Sequence, residues 1–295
     1  MSCLAWLIAA LTFTVPAVGC PVPAPDPPHL TQWPVGQRTL PTRPDGFGVV
    51  RRTPPALRER RMATTDALPP PPDARWRSSV TRITPAVRAR MGTSWEPGCP
   101  VRLRDLRYVQ VVFHGFDGRP HTGELIIQKD HARNVAGVFR RLYRARFPIE
   151  EMRLPTSAEP DPTPSGDGNG TGAMVCRATT KGSSYSAHAY GLAIDLNPFQ
   201  NPYLNDGLVI PERARSYLDR SWHRPGMIRP GGLVVRAFAR IAGRGAGAGG
   251  RSRTTSTSAR PAADNNDSSA TRPRRTPRRP QTNRCPRRDV GWPVR

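Results

Sequence analysis

Alternation of apolar and polar positions is confined to the middle of the chain. Leu106 to Phe113 alternates as a strand, Gly115-Phe116-Asp117-Gly118 has the composition of a turn, and Thr122 to Gln128 returns as a partner. This pattern predicts an antiparallel hairpin. Upstream, Thr84-Pro85 supplies a helix cap and first helical position, leading into a short helix over Ala86 to Met91. Downstream, Asp130 is the expected cap of a second helix, whose Val135, Val138, Phe139 and Leu142 share one face. Phe147-Pro148-Ile149 ends that helix and begins an extended piece through Leu154. A Pro, Gly and Asp loop follows from Pro155 to Thr171, then an extended Met174 to Arg177. A short strand is expected to end near Asp195, a short helix to start at Pro211-Glu212, and another helix to cover Leu233 to Ala242. Hairpins mixed with separate helices, without internal repeats, predict an α+β domain: a small antiparallel sheet with flanking helices.

Composition narrows that domain. Of the 295 residues, 35 are proline and 26 glycine, and the prolines concentrate at the two ends. Residues 1–20 read as an export leader, apolar from Leu4 to Val18 and too short to span a bilayer comfortably. Ala17-Val18-Gly19-Cys20 resembles a lipoprotein cleavage box with alanine at its first position, so lipidation of Cys20 and ordinary cleavage both stay open. Residues 21–77 are rich in Pro and Arg and end in Pro69-Pro70-Pro71-Pro72, which predicts an extended tether. The packed domain is expected over 78–242, and 243–295 reads as a disordered basic tail. Five cysteines are present, and only Cys99 and Cys176 fall inside the domain. In an exported protein a disulfide between them is the default; two buried free thiols are the alternative.

The net charge of +23 is carried almost wholly by arginine, since Lys129 and Lys181 are the only lysines. Such a charge favours anionic partners, whether nucleic acid, anionic lipid or acidic wall polymers. The tail has twelve arginines after Gly250 against three aspartates, yet no aromatic residue before Trp292 and no nucleic-acid motif. It would bind polyanions in a salt-dependent way, and no specific nucleic acid is expected.

The chemistry concentrates in Ser186-Ala187-His188-Ala189-Tyr190-Gly191-Leu192-Ala193-Ile194-Asp195-Leu196-Asn197-Pro198. An imidazole and a carboxylate stand seven residues apart, which on one straight strand would send them to opposite faces. The chain must bend between them, and Gly191 permits it. A lone His-Asp pair is ordinarily a satisfied histidine and a turn aspartate. The whole Ser-x-His-x-x-Gly-x-Ala-x-Asp pattern followed by Asn-Pro instead resembles the signature of bacterial zinc peptidases that cut D-Ala-D-Ala or L-Ala-D-Glu bonds in cell-wall peptides. The similarity runs from Cys99 to Ile241 and includes Leu106-Arg107-Tyr108-Val109, His121-Thr122-Gly123-Glu124-Leu125, Cys176-Arg177 and Pro225-Gly226-Met227-Ile228.

The resemblance implies zinc (Zn2+) ligation by His188 and Asp195, a supporting role for Ser186 and an Arg177 that faces the substrate, a peptidoglycan stem peptide. A guanidinium fork suits a peptide carboxylate, and a serine two residues before a ligand can hydrogen-bond behind it. The family's second motif, Trp-Gly-Gly followed by Asp-x-x-His-Phe, supplies the third ligand and the catalytic aspartate, and it is missing here. None of the six histidines lies after His223, which sits upstream of that place and reads as a surface residue. With one base restored near the Ile241/Ala242 boundary, however, the codons through Gly247 permit Gly-Trp-Thr-Trp-Gly-Gly. Those from Arg253 through Ser258 then permit Asp-Tyr-Gln-His-Phe. A frameshift is therefore the expected origin of the tail. The chain as written is expected to be an impaired wall metallopeptidase; a non-catalytic exported protein that binds peptidoglycan or polyanions is the alternative.

Overall fold

The computed structural model describes residues 29–157, 163–180 and 182–245. The expected leader, Cys20, Cys285 and nearly all of the basic tail lie outside the described residues. The fold is α+β. Its sheet has three antiparallel strands in the order β1 (Ser78–Thr81), β2 (Leu106–His114) and β3 (Pro120–Gln128). Val109 is the central register point, opposite Val80 on one side and Leu125 on the other. Helix α1 (Pro85–Arg90) precedes β2, α2 (Ala132–Arg144) follows β3, and α3 (Leu233–Gly245) closes the described chain.

Both sheet faces are covered, which explains why the strand sequences are almost continuously apolar. Val109, Val111, Phe113, Leu125 and Ile127 point one way, as the period of two requires, and pack with Val135, Val138, Phe139 and Leu142 of α2 and with Phe238 and Ile241 of α3. Leu106, Tyr108 and Ile126 point the other way, against Val87, Met91, Leu154 and Met174. The Thr84 hydroxyl caps α1 by accepting from the Val87 amide at 3.3 Å. The cap of α2 needs correction. His131 occupies that place without a side-chain capping bond, and the Asp130 carboxylate accepts from Gln128 Nε2.

Sequence reasoning overlooked three short pairings. One is the edge strand β1. Another is β4 (Glu151–Met152), parallel to β5 (Gly170–Thr171). The third is the hairpin of β6 (Tyr203–Asn205) and β7 (Leu208–Ile210), turned by Asp206 and Gly207 at φ 45° and 73°. Asp195 does not end a strand. It forms an isolated bridge with Gly172. The helix expected from Pro211 is a single 3₁₀ turn over Arg215–Leu218.

The described part of the expected tether, residues 29–77, also needs correction. It is extended and nearly free of regular structure, but up to Arg61 and beyond it lies on the domain as a strap. Leu57 is buried with Phe199, Tyr217 and Met227. Trp33 Nε1 donates to Asp167 at 2.7 Å, and Gly48 N donates to Glu212 at 2.7 Å. Arg60 is fully buried: its guanidinium donates to both carboxylate oxygens of Glu150, at 2.8 and 2.6 Å, and to the Asp167 carbonyl at 2.7 Å. A segment too poor in apolar residues to fold alone is thus ordered by polar groups that the domain presents to it.

Candidate active site

His188 lies in a 3₁₀ turn, Ala187–Tyr190, which Ser186 caps by accepting from the His188 amide at 3.3 Å. Gly191 ends the turn at φ 65°, in the left-handed region. A Cβ there would lie 2.9 Å from the backbone nitrogen of Gln128, so glycine is required both by the backbone angle and by the close approach to β3. Gln128 N donates to the Gly191 carbonyl at 3.0 Å and fixes the turn to the end of the sheet.

The segment Gly172 to Val175 aligns the two candidate ligands. Gly172 and Asp195 exchange both backbone hydrogen bonds, at 3.1 and 3.0 Å. The Val175 amide donates to the His188 carbonyl at 3.3 Å, and His188 Nδ1 donates to the Ala173 carbonyl at 2.6 Å. On either side of Asp195, Ile194 and Leu196 are buried in the main core, so alternation turns the carboxylate outward. Its side chain is 35% exposed against 11% for His188, which leaves one wall of the pair accessible.

The pair converges. His188 Nε2 stands 3.3 Å from Asp195 Oδ2. A carbonyl only accepts, so Nδ1 carries the proton of the neutral ring and Nε2 presents its lone pair toward the carboxylate. This is the orientation that a backbone carbonyl imposes on a metal-binding histidine. Two ligands at about 2.0–2.1 Å from a tetrahedral zinc would lie about 3.3–3.4 Å apart. The donor types, the tautomer and the separation therefore fit two positions of a zinc site. Among the described residues no group of three His, Cys, Asp or Glu side chains is placed to hold a metal, so the third position is not supplied there.

Arg177 meets this turn through its backbone and holds its guanidinium locally. Its backbone carbonyl accepts from Ser186 N at 3.0 Å, which supports the cap, while its Nη1 donates to the neighbouring Ala178 carbonyl at 3.1 Å. The next residue back, Cys176, is joined to Cys99 by a disulfide with Cα atoms 5.8 Å apart, and its amide donates to Ser94 at 2.8 Å. These bonds tie the aligning segment to the loop after α1. His223 is exposed and belongs to no such cluster. The residue that sequence reasoning missed is Ala173, whose contribution is a backbone oxygen and so leaves no mark in residue type.

The sequence model of a family described as D-alanyl-D-alanine carboxypeptidase matches residues 179–250, about a quarter of the chain. The matched region contains Ser186, His188 and Asp195 and begins just after Arg177. It supports a peptidase of the cell-wall type at the level of the family. No curated protein and no solved structure matches the chain.

Proposed function

We propose that this is an exported zinc peptidase of the cell wall that cuts D-Ala-D-Ala or L-Ala-D-Glu bonds of peptidoglycan stem peptides. The observation that carries the reading is the 3.3 Å approach of His188 Nε2 to Asp195 Oδ2 inside the matched motif, with Ala173 fixing the imidazole. His188 and Asp195 would hold the metal. When bound, zinc would polarise the scissile carbonyl and lower the pKa of water toward neutrality. The Ser186 cap and the Gly191 bend keep the imidazole aimed at the carboxylate. Arg177, half-buried at the edge of the same segment, is the group we assign to a substrate carboxylate. Export fits the apolar leader, with Cys20 as the residue a lipid anchor would use.

The chain as written is impaired in this reading. Its second motif is replaced by the sequence after Ile241, which a single lost base near the Ile241/Ala242 boundary explains. Two protein ligands seldom hold catalytic zinc. That shortfall also favours a second reading, a wall-binding protein without activity. Reading the nucleotide sequence across codons 240 to 260 tests the frameshift. Peptide release from purified peptidoglycan, by the chain as written and by a chain with the base restored, tests the activity. Release only by the restored chain, lost on His188→Ala, is expected. No release by a restored chain that retains zinc would favour the wall-binding reading.

A further inference from the structure

Four cationic side chains from four segments line one cleft of about 570 Å³. Arg82 follows β1, Arg104 lies in the 3₁₀ turn Leu103–Asp105, Arg107 is the second residue of β2, and Lys129 follows β3. Ile83 and Leu103 add apolar surface, and Asp105 is the one acid in the lining. Lys129 Nζ already holds that carboxylate at 2.7 Å. The Lys129 hydrogen bond, followed by the charges of Lys129, Arg104 and Arg102, keeps the Asp105 carboxyl below its ordinary range. Among the described residues Arg82, Arg104 and Arg107 form no salt bridge, and Asp105, already bonded to Lys129, is the one carboxylate near them. Arg107 is nonetheless held in place, since its Nη1 donates to the carbonyls of Arg104 at 3.0 Å and Leu106 at 2.7 Å.

Four cationic groups around one cavity against the single carboxylate of Asp105 leave an excess of positive charge, and a bound anion relieves the repulsion among them. Their number also selects the anion. One planar fork satisfies a carboxylate, whereas the tetrahedral oxygens of a phosphate accept from forks approaching along several directions. The position is informative as well. Lys129 N donates to the Asp105 carbonyl at 2.8 Å, and its neighbour Gln128 N donates to Gly191. The cleft and the turn that carries His188 thus share one end of the β2–β3 pair.

We propose that this cleft binds the phosphates of an anionic polymer of the cell envelope and holds that polymer beside the His188–Asp195 pair. The identity of the polymer rests on the wall-peptidase reading, but phosphate binding does not, and it is measured without hydrolysis. The test uses the full chain and end-labelled inorganic polyphosphate, followed by fluorescence anisotropy over a range of salt concentrations. Arg82 and Arg104 are exposed and can be changed to glutamine together. Arg274→Gln with Arg275→Gln in the tail removes the same charge elsewhere. The cleft variant is expected to bind about tenfold more weakly and to lower the slope of log K against log salt by about 1.5, at roughly 0.7–0.9 per phosphate contact. If the cleft and not the tail makes the phosphate contacts, the tail variant should change affinity less than about twofold, since removing charges that touch no phosphate leaves the number of contacts unchanged. Equal losses in the two variants would overturn the proposal in favour of diffuse charge. Poly-glutamate competing as well as polyphosphate would overturn the phosphate assignment, and tighter binding of duplex DNA would overturn the envelope polymer.

Discussion

Replacing Arg60 by methionine should destabilise the whole domain, although Arg60 lies in a segment whose composition suggests a tether. Its side chain is fully buried and that of Glu150 is 8% exposed. The substitution removes two bonds to Glu150, one to the Asp167 carbonyl and a guanidinium stacked 4.5 Å from the Phe199 ring centre. Truncating one side of a buried ion pair costs about 3–5 kcal/mol, because the remaining charge is left without its partner. Asn169 Nδ2 still donates to Glu150 at 2.7 Å, which places the expected loss near the lower end, about 3 kcal/mol. In urea, with a slope of about 2 kcal/mol per M, the midpoint should fall by about 1.5 M. Arg60→Met combined with Glu150→Leu should recover much of the loss, since no buried charge remains. A loss below about 1 kcal/mol for the single variant would refute the reasoning and would mean that the strap is not part of the cooperative unit.

Three further outcomes follow from the same geometry. Reducing Cys99–Cys176, which closes a loop with a sequence separation of 77, should lower stability by about 4.5 kcal/mol on chain-entropy grounds, read as a fall in the denaturation midpoint with and without reductant. Gly191→Ala should cost about 1–2 kcal/mol from its φ of 65° alone, and the added clash with Gln128 should loosen the His188 turn, seen as faster amide exchange there. Burial, then the hydrogen bond to Glu124, pushes the Tyr108 hydroxyl up to about 12. The raised value favours the neutral form in the folded state, so this stabilisation is complete below pH 10 and is lost as pH rises toward 12. The denaturation midpoint followed above pH 10 should fall less steeply in Tyr108→Phe than in the wild type, with a residual fall from Tyr217, whose value burial also raises.

The central hairpin could be read because strand alternation and the Gly-Phe-Asp-Gly turn agree, and the face of α2 because four apolar residues repeat at helical spacing. The polar edge strand Ser78–Thr81 has no such pattern, since its order comes from pairing with β2. The β6–β7 hairpin did leave a signal in Asp206-Gly207, a dipeptide suited to two positive φ values. The strap was not legible for a different reason. Its anchors, Arg60 and Trp33, are ordered by Glu150 and Asp167, far away in the chain. At the site, residue types named His188, Asp195 and the bend at Gly191. They did not reveal the Ala173 oxygen that sets the imidazole, nor that the Arg177 guanidinium is held at Ala178.

The most direct test of the central claim is the zinc retained after dialysis by the chain as written, by the chain with one base restored near codon 242, and by the restored chain carrying His188→Ala or Asp195→Ala. Two ligands hold zinc weakly and three hold it firmly. The chain as written should therefore lose its metal, the restored chain should keep one zinc per molecule, and either substitution should release it. A restored chain that keeps zinc equally well without His188 and Asp195 would contradict the assignment of this pair as the metal site.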